Sequence, residues 1–322
     1  MNPSTAFPET GTIPWTRRAQ LVFVVGSPRS GTTWLQAMLA SHPSVATGPE
    51  THFFKAIEGV EATFAKVLPR QVGLRQYLSE GEFYETLAEM FHQVASKVSE
   101  PEGPTPVFLE KTPEHCLHAR LILRCLPRAR FIHLLRDGRH VVSSLVRAHR
   151  EWADAKNPYR SVTIASQVWR QCVDAARGIP ALLDDPDDYT ELRYEDLKGS
   201  PVEHMEKLFD WMGLPADPAT VRSIVDENRL EAVKQKRGFD TIVPPVGTGV
   251  ETRGAEPECF FGRGATEAKD TGLTRLEQHQ FHRVCGPLLR ELGYCDELPK
   301  VPAWAVVLAS WRLRSLLGLS QV

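Results

Sequence analysis

The sequence lacks the marks of several common protein classes. Lys and Arg number 38 against 40 Asp and Glu, a formal net charge of -2. A nucleic-acid binder usually carries a basic excess, so that class has no support and any anion site must be built locally. Cysteine is scarce: six residues, at positions 116, 125, 172, 259, 285 and 295, with no CxxC spacing. A chain of 322 residues needs no disulfide framework, so these read as reduced, mostly core residues of a cytoplasmic protein, and their spacing argues against zinc. No run of 18 apolar residues occurs, which argues against a membrane span. Residues 1–18 are polar and contain proline, without the apolar stretch of a signal peptide, and are expected to be flexible. No His/Asp/Glu cluster has metal-ligand spacing, so no metal is expected.

What is present is the composition of a folded globular chain, 42% hydrophobic and 24% charged, which excludes a disordered or fibrous one. Leu21–Val25 is a β-branched run closed by Gly26 and reads as a buried strand. A helix should follow over about 32–41. Residues 55–105 read as helical, with Phe83, Leu87, Met90, Phe91, Val94 and Val98 on one face. Further strands are expected at 107–109, 131–135 and about 190–194, with helices near 115–126, 139–149 and 164–183. Ser200-Pro-Val-Glu203 predicts an N-cap, a first-turn proline and a capping box for a helix ending near Gly213. A last core helix is expected over about 274–292. Strand and helix alternate from 21 to 213, the pattern of an α/β fold with a parallel sheet, right-handed crossovers and helical insertions.

Gly26-Ser-Pro-Arg-Ser-Gly-Thr-Thr-Trp-Leu35 carries the most information. It joins an expected strand to an expected helix, the context of a phosphate-binding loop. Gly31 lets the backbone approach an anion, the amides of Ser30 to Thr33 open a helix, and Arg29 adds a planar fork for oxyanions. A nucleotide triphosphatase would carry lysine where Thr32 stands, and that lack weighs against ATP or GTP hydrolysis.

On this loop the sequence resembles the sulfotransferase superfamily, whose sulfuryl donor is 3′-phosphoadenosine-5′-phosphosulfate. The resemblance covers about residues 21–293. It implies a three-layer sandwich with a central parallel sheet, similar to the P-loop nucleoside triphosphate hydrolases. It also implies that Arg29, Ser30, Gly31, Thr32 and Thr33 hold the 5′-phosphosulfate. Arg136, at the end of the third expected strand, and Ser144, eight residues later, match the family's 3′-phosphate ligands. The alternative for Arg136 is a pairing with Asp137 or with a neighbouring helix. Arg193-Tyr-Glu-Asp-Leu197 is similar to a YEDL segment that brings Tyr194 near the adenine. Phe260-Phe-Gly-Arg-Gly264 is similar to an RKG loop, which would put Arg263 and Gly264 by the 3′-phosphate. Glu267 and Lys269 replace the glycine and tryptophan that usually follow.

Two segments are candidates for the chemistry. Pro49-Glu-Thr-His-Phe-Phe54 looks like the segment that carries a glutamate base in Golgi-type carbohydrate and protein-tyrosine sulfotransferases. Its aromatic setting leads us to expect a raised Glu50 pKa. Glu110-Lys-Thr-Pro113 matches a motif of the same branch in which Lys111 would contact the transferring group or leaving oxygen. A salt bridge to Glu110 or another acid is the alternative for Lys111. His52 and His115 are alternative bases.

The sequence thus reads as an enzyme of residues 19–298 that sulfates a hydroxyl acceptor: a sugar, small molecule, lipid or peptide tyrosine, with self-association left open. A small-molecule kinase and a catalytically silent nucleotide-binding module are the other readings. The stretch 238–258 is expected to be a long loop that acts as a lid or acceptor-side wall. Residues 299–322 are expected to form an amphipathic tail with Trp304, Val307, Leu308 and Trp311 at helical spacing.

Overall fold

The computed structural model describes residues 13–66, 73–151, 159–229 and 272–295. In chain order the elements are β1 (Gln20–Gly26), α1 (Thr32–Ala40), β2 (Val45–Thr47), α2 (Phe53–Ala65), α3 (Glu80–Ala95), β3 (Val107–Glu110), α4 (Ala119–Cys125), β4 (Arg130–Leu135), α5 (Gly138–Glu151), α6 (Val162–Arg177), β5 (Tyr189–Arg193), α7 (Tyr194–Gly199), α8 (Pro201–Trp211), α9 (Pro218–Glu227) and α10 (Arg275–Glu291). They divide into two compact units, Met1–Leu135 with Asp174–Glu256, and Arg136–Val173 with Pro257–Val322.

The first unit holds a five-stranded sheet in the order β2-β3-β1-β4-β5, every pair parallel. Parallel pairing puts all the strand C-termini on one edge, where open α/β sheets bind ligands. That edge gathers the loop after Gly26, the turn after Thr47, Lys111 after β3, and Arg193–Tyr194 after β5. Central β1 is buried almost throughout, as a strand covered on both faces must be. On one face Phe23 stacks near Phe91 and Phe131, with ring centroids 5.9 and 5.6 Å apart, and meets Phe54 edge-on at 6.0 Å. Through these rings α2 and α3 cover that side. α1 contacts α8, which contacts α7 and α9, and His42 packs on Phe209 at 5.1 Å. The three layers of the expected α/β sandwich are present.

The second unit contains α5, α10 and most of α6. The Asp137 carboxylate accepts the Arg139 amide at 2.9 Å and opens α5. The Arg139 guanidinium closes on the same carboxylate and donates to the Tyr294 carbonyl at 2.9 Å. The Trp169 indole donates to the Arg136 carbonyl at 3.1 Å, and a Cβ on Gly138 would lie 2.7 Å from the Trp169 ring. Only glycine fits between that ring and the start of α5. α10 begins with a Thr274–Glu277 capping box.

Several expectations need correction. Residues 55–105 form two helices, α2 and α3, and the second starts at a Ser79–Glu82 capping box. The helix expected over 164–183 stops at Arg177, and Gly178-Ile-Pro180 turns the chain into a short 3-10 segment. A 3-10 segment over Pro113–His118 likewise precedes α4. Ser200 makes no side-chain cap to α8; Glu203 instead pairs with Lys207 one turn on, at 2.7 Å. The three-residue strand β2 and the helix α9 were not expected. The stretches 238–258 and 299–322 lie outside the described residues.

Candidate active site

The loop between β1 and α1 is shaped by two left-handed residues, Arg29 at φ 72° and Gly31 at φ 104°. Arginine in that region costs about 1–3 kcal/mol, strain that folded proteins tend to concentrate at ligand sites. Gly31 has a second constraint: a Cβ there would lie 2.7 Å from the Tyr194 ring. Tyr194 is buried and meets Trp34 edge-on at 5.7 Å. Trp34 is anchored in turn, its indole donating to the Asn228 carbonyl at 2.8 Å. The site expected to lie beside an adenine ring is thus packed directly against the expected phosphate loop.

Thr32 and Thr33 open α1, where the first amides of a helix have no partner within it and the dipole end favours an anion. The Ser30 hydroxyl is buried and finds no hydrogen-bond partner among the described residues. An orphaned hydroxyl and a helix N-terminus around a glycine cradle fit a bound phosphosulfate.

Lys111 connects this loop to the expected base. Its side chain is fully buried; Nζ donates to Thr33 Oγ1 at 3.3 Å and to the Glu50 carboxylate. The alternative raised for Lys111, an ion pair, is therefore made, but with Glu50 and not with neighbouring Glu110. His52, the left-handed residue that leads into α2, brings Nε2 to 3.3 Å from the other Glu50 oxygen. The expectation of a raised Glu50 pKa is overturned. Burial does push the carboxyl up, but the His52 hydrogen bond and the Lys111 ammonium outweigh it and bring the pKa down to about 2. The same contact raises the His52 pKa, against the opposing pull of burial.

Glu110 has a different environment. It is 2% exposed, and its carboxylate accepts Thr51 Oγ1 at 2.9 Å, Thr112 Oγ1 at 2.7 Å, the Thr112 amide at 3.0 Å and His115 Nδ1 at 2.8 Å. Burial raises its pKa, but His115 and the two threonines lower it further still. His115 is completely buried and lies edge-on to Phe54, centroids 5.4 Å apart. Its Nδ1 is committed to Glu110, and its Nε2 is buried with no hydrogen-bond partner among the described residues.

In the second unit Arg136 and Ser144 are both buried. Asp137, the alternative partner raised for Arg136, pairs with Arg139 as already described. Arg263 and Gly264 lie outside the described residues. Among the described residues no cluster of His, Cys, Asp and Glu could hold a metal ion, and no helix is long and apolar enough to cross a membrane.

Fold and site together define an α/β protein with a parallel sheet and a glycine-framed strand-to-helix loop at its C-terminal edge. The family model described as "Sulfotransferase family" matches residues 21–218, and the chain belongs to that family. It is similar to a protein-tyrosine sulfotransferase of Drosophila melanogaster, 26% identical over 245 residues, 72% of this chain and 46% of that one. It is also similar to protein-tyrosine sulfotransferase 1 of Danio rerio, 26% identical over 286 residues, 85% of this chain and 72% of that one. The chain spans about half the length of the fly relative. A mouse sulfotransferase solved in complex with PAP has the same fold, with a TM-score of 0.53, 14% identity and 87% of each chain covered.

Proposed function

We propose that this chain is a sulfotransferase that moves a sulfuryl group from 3′-phosphoadenosine-5′-phosphosulfate to a hydroxyl acceptor, giving a sulfate ester and adenosine 3′,5′-bisphosphate. The observation that carries the reading is the Lys111 ammonium held between Thr33, in the first turn after the phosphate loop, and Glu50. One buried cation touches both the expected donor site and the expected base.

That contact and the sequence likeness together support the following roles. Arg29, Ser30, Gly31, Thr32 and Thr33 bind the 5′ side of the donor through amides, hydroxyls and one guanidinium. Arg136 and Ser144 are assigned to the 3′-phosphate by sequence likeness, together with Arg263 and Gly264, and Tyr194 to the adenine. Glu50 takes the acceptor proton as the acceptor oxygen bonds to sulfur and the bond from sulfur to the bridging oxygen breaks. Lys111 offsets the negative charge that develops on that oxygen, an interaction stronger in the transition state than in the ground state. A base with a pKa of about 2 is weak. The His52 hydrogen bond and the Lys111 ammonium hold it down together, so an anionic donor that competes for Lys111 removes only part of that effect.

The names of the relatives make the phenol of a peptide tyrosine the first acceptor to test. The cysteine usage supports a cytoplasmic setting. Thr32 in place of a loop lysine disfavours the kinase reading, and the placement of Glu50 against Lys111 disfavours a silent binding module. Incubation with sulfur-labelled donor and a panel of tyrosine peptides, phenols, sugars and lipid alcohols tests the proposal. Labelled ester in any arm supports it; ATP turnover without sulfate transfer, or donor binding without transfer even to water, counts against it.

A further inference from the structure

The Glu110 carboxylate is a hub that neither the mechanism nor the sequence reading uses. One oxygen accepts Thr51 Oγ1 at 2.9 Å, the Thr51 amide at 3.4 Å and Thr112 Oγ1 at 2.7 Å. The other accepts the Thr112 amide at 3.0 Å and His115 Nδ1 at 2.8 Å. An ionised carboxylate offers about four lone-pair sites, so these five donors saturate it. It is also 2% exposed, which leaves it no capacity to take a proton from an acceptor. Its donors come from two separate stretches of chain: Thr51 directly follows Glu50, and Thr112 directly follows Lys111. Thr112 Oγ1 adds a second stitch by accepting the His52 amide at 3.4 Å. Both stretches are irregular backbone beyond the ends of β2 and β3, where no strand ladder fixes their separation.

We infer that Glu110 is the positioning residue of the site, its buried carboxylate tying the Glu50 segment to the Lys111 segment and so setting the Glu50–Lys111 distance. The inference rests on the sulfuryl-transfer reading above. An ionised acceptor is needed because every partner donates; an amide in its place would turn an NH2 group toward donors on one of the two segments. Misplacing catalytic groups by about 1 Å can cost on the order of 10²-fold in rate.

The test compares Thr51→Val, Thr51→Ser, Glu110→Gln and Glu50→Gln with the full chain. Turnover is read with labelled donor and whichever acceptor of the panel the unmodified protein uses fastest, water included. Affinity is read by calorimetry with adenosine 3′,5′-bisphosphate. Thr51→Val should lower kcat about 10- to 100-fold with nucleotide affinity within about threefold, and Thr51→Ser should restore kcat. The acidic limb of kcat/KM should rise in pH in Thr51→Val, because Glu50 no longer sits fixed beside Lys111. Glu110→Gln should show the same pattern; should it fail to fold, Thr51→Val decides. Ordinary kcat and pH profile in Thr51→Val, alongside a collapse in Glu50→Gln, would overturn the positioning role alone. Full turnover in Glu50→Gln would remove the base itself and this inference with it.

Discussion

Replacing Lys111 with methionine tests the electrostatics of the site with little change in packing, since methionine keeps most of the buried stem. Lys111 and His52 together hold the Glu50 carboxyl at about 2 against an ordinary 4.5. At ~1.4 kcal/mol for each pH unit the whole difference is worth ~3 kcal/mol. Glu50 is about one-third exposed, with 32% of its side chain accessible, and His52 keeps part of the effect. The Lys111 share is therefore about 1–2 kcal/mol after screening. The folded pKa lies below the unfolded one. The contribution is thus fully present above about pH 4.5 and is lost as the pH falls from there through about 2. Denaturant titrations of both proteins from pH 3 to 8 should show the variant about 1–2 kcal/mol less stable at pH 7, with the gap narrowing below pH 4.5. Carbon NMR of labelled glutamate should show the Glu50 carboxyl titrating well above 2 in the variant, as burial then faces less opposition. A Glu50 pKa still near 2 in Lys111→Met, or a stability gap independent of pH, would refute the assignment of that low pKa to Lys111.

Three further outcomes are expected. Arg29→Ala should weaken binding of adenosine 3′,5′-bisphosphate by about 1.5–3 kcal/mol, the worth of a charge-assisted contact, as read by calorimetry; unchanged affinity removes Arg29 from the site. Gly31→Ala puts a Cβ 2.7 Å from the Tyr194 ring at a φ of 104° and should abolish nucleotide binding, with a lower Tm. His115→Phe removes one of the donors to the buried Glu110 carboxylate and should cost about 1.5–3 kcal/mol of stability, the worth of a hydrogen bond to a charged group. Loss of turnover in a stable His115→Phe protein, alongside ordinary turnover in Thr51→Val, would instead make His115 the base.

The strand, loop and helix that carry the proposed donor side were legible in the sequence because they are local. A β-branched run, a glycine frame and a helix start define the phosphate loop within a dozen residues, and parallel pairing then brings Glu50, Lys111 and Tyr194 to the same sheet edge. The strand order could not be read, and β2 is only three residues long, too short for any alternation to show. Tertiary pairing decided the rest. Nothing around Glu50 in the chain announces that a lysine 61 positions away will donate to it, so the aromatic neighbours in PETHFF suggested a raised pKa where the fold imposes a lowered one. His115 was equally ambiguous: it follows the Lys111-Thr112 pair closely but with Pro113 directly after that pair, and the 3-10 turn over Pro113–His118 sends it into the aromatic core. The Thr51 and Thr112 signals were present, one beside each candidate catalytic residue, but a threonine declares its partner only in three dimensions.

Transfer of labelled sulfate by the unmodified chain and by Glu50→Gln, each with donor affinity measured in parallel, tests the central claim most directly. We expect sulfate ester from the unmodified protein, a fall of roughly 10²–10⁴-fold in Glu50→Gln as for loss of a general base, and nucleotide affinity within a few-fold in both. Tight nucleotide binding with no sulfate transfer to any acceptor, or a Glu50→Gln protein that turns over at the unmodified rate, would contradict it.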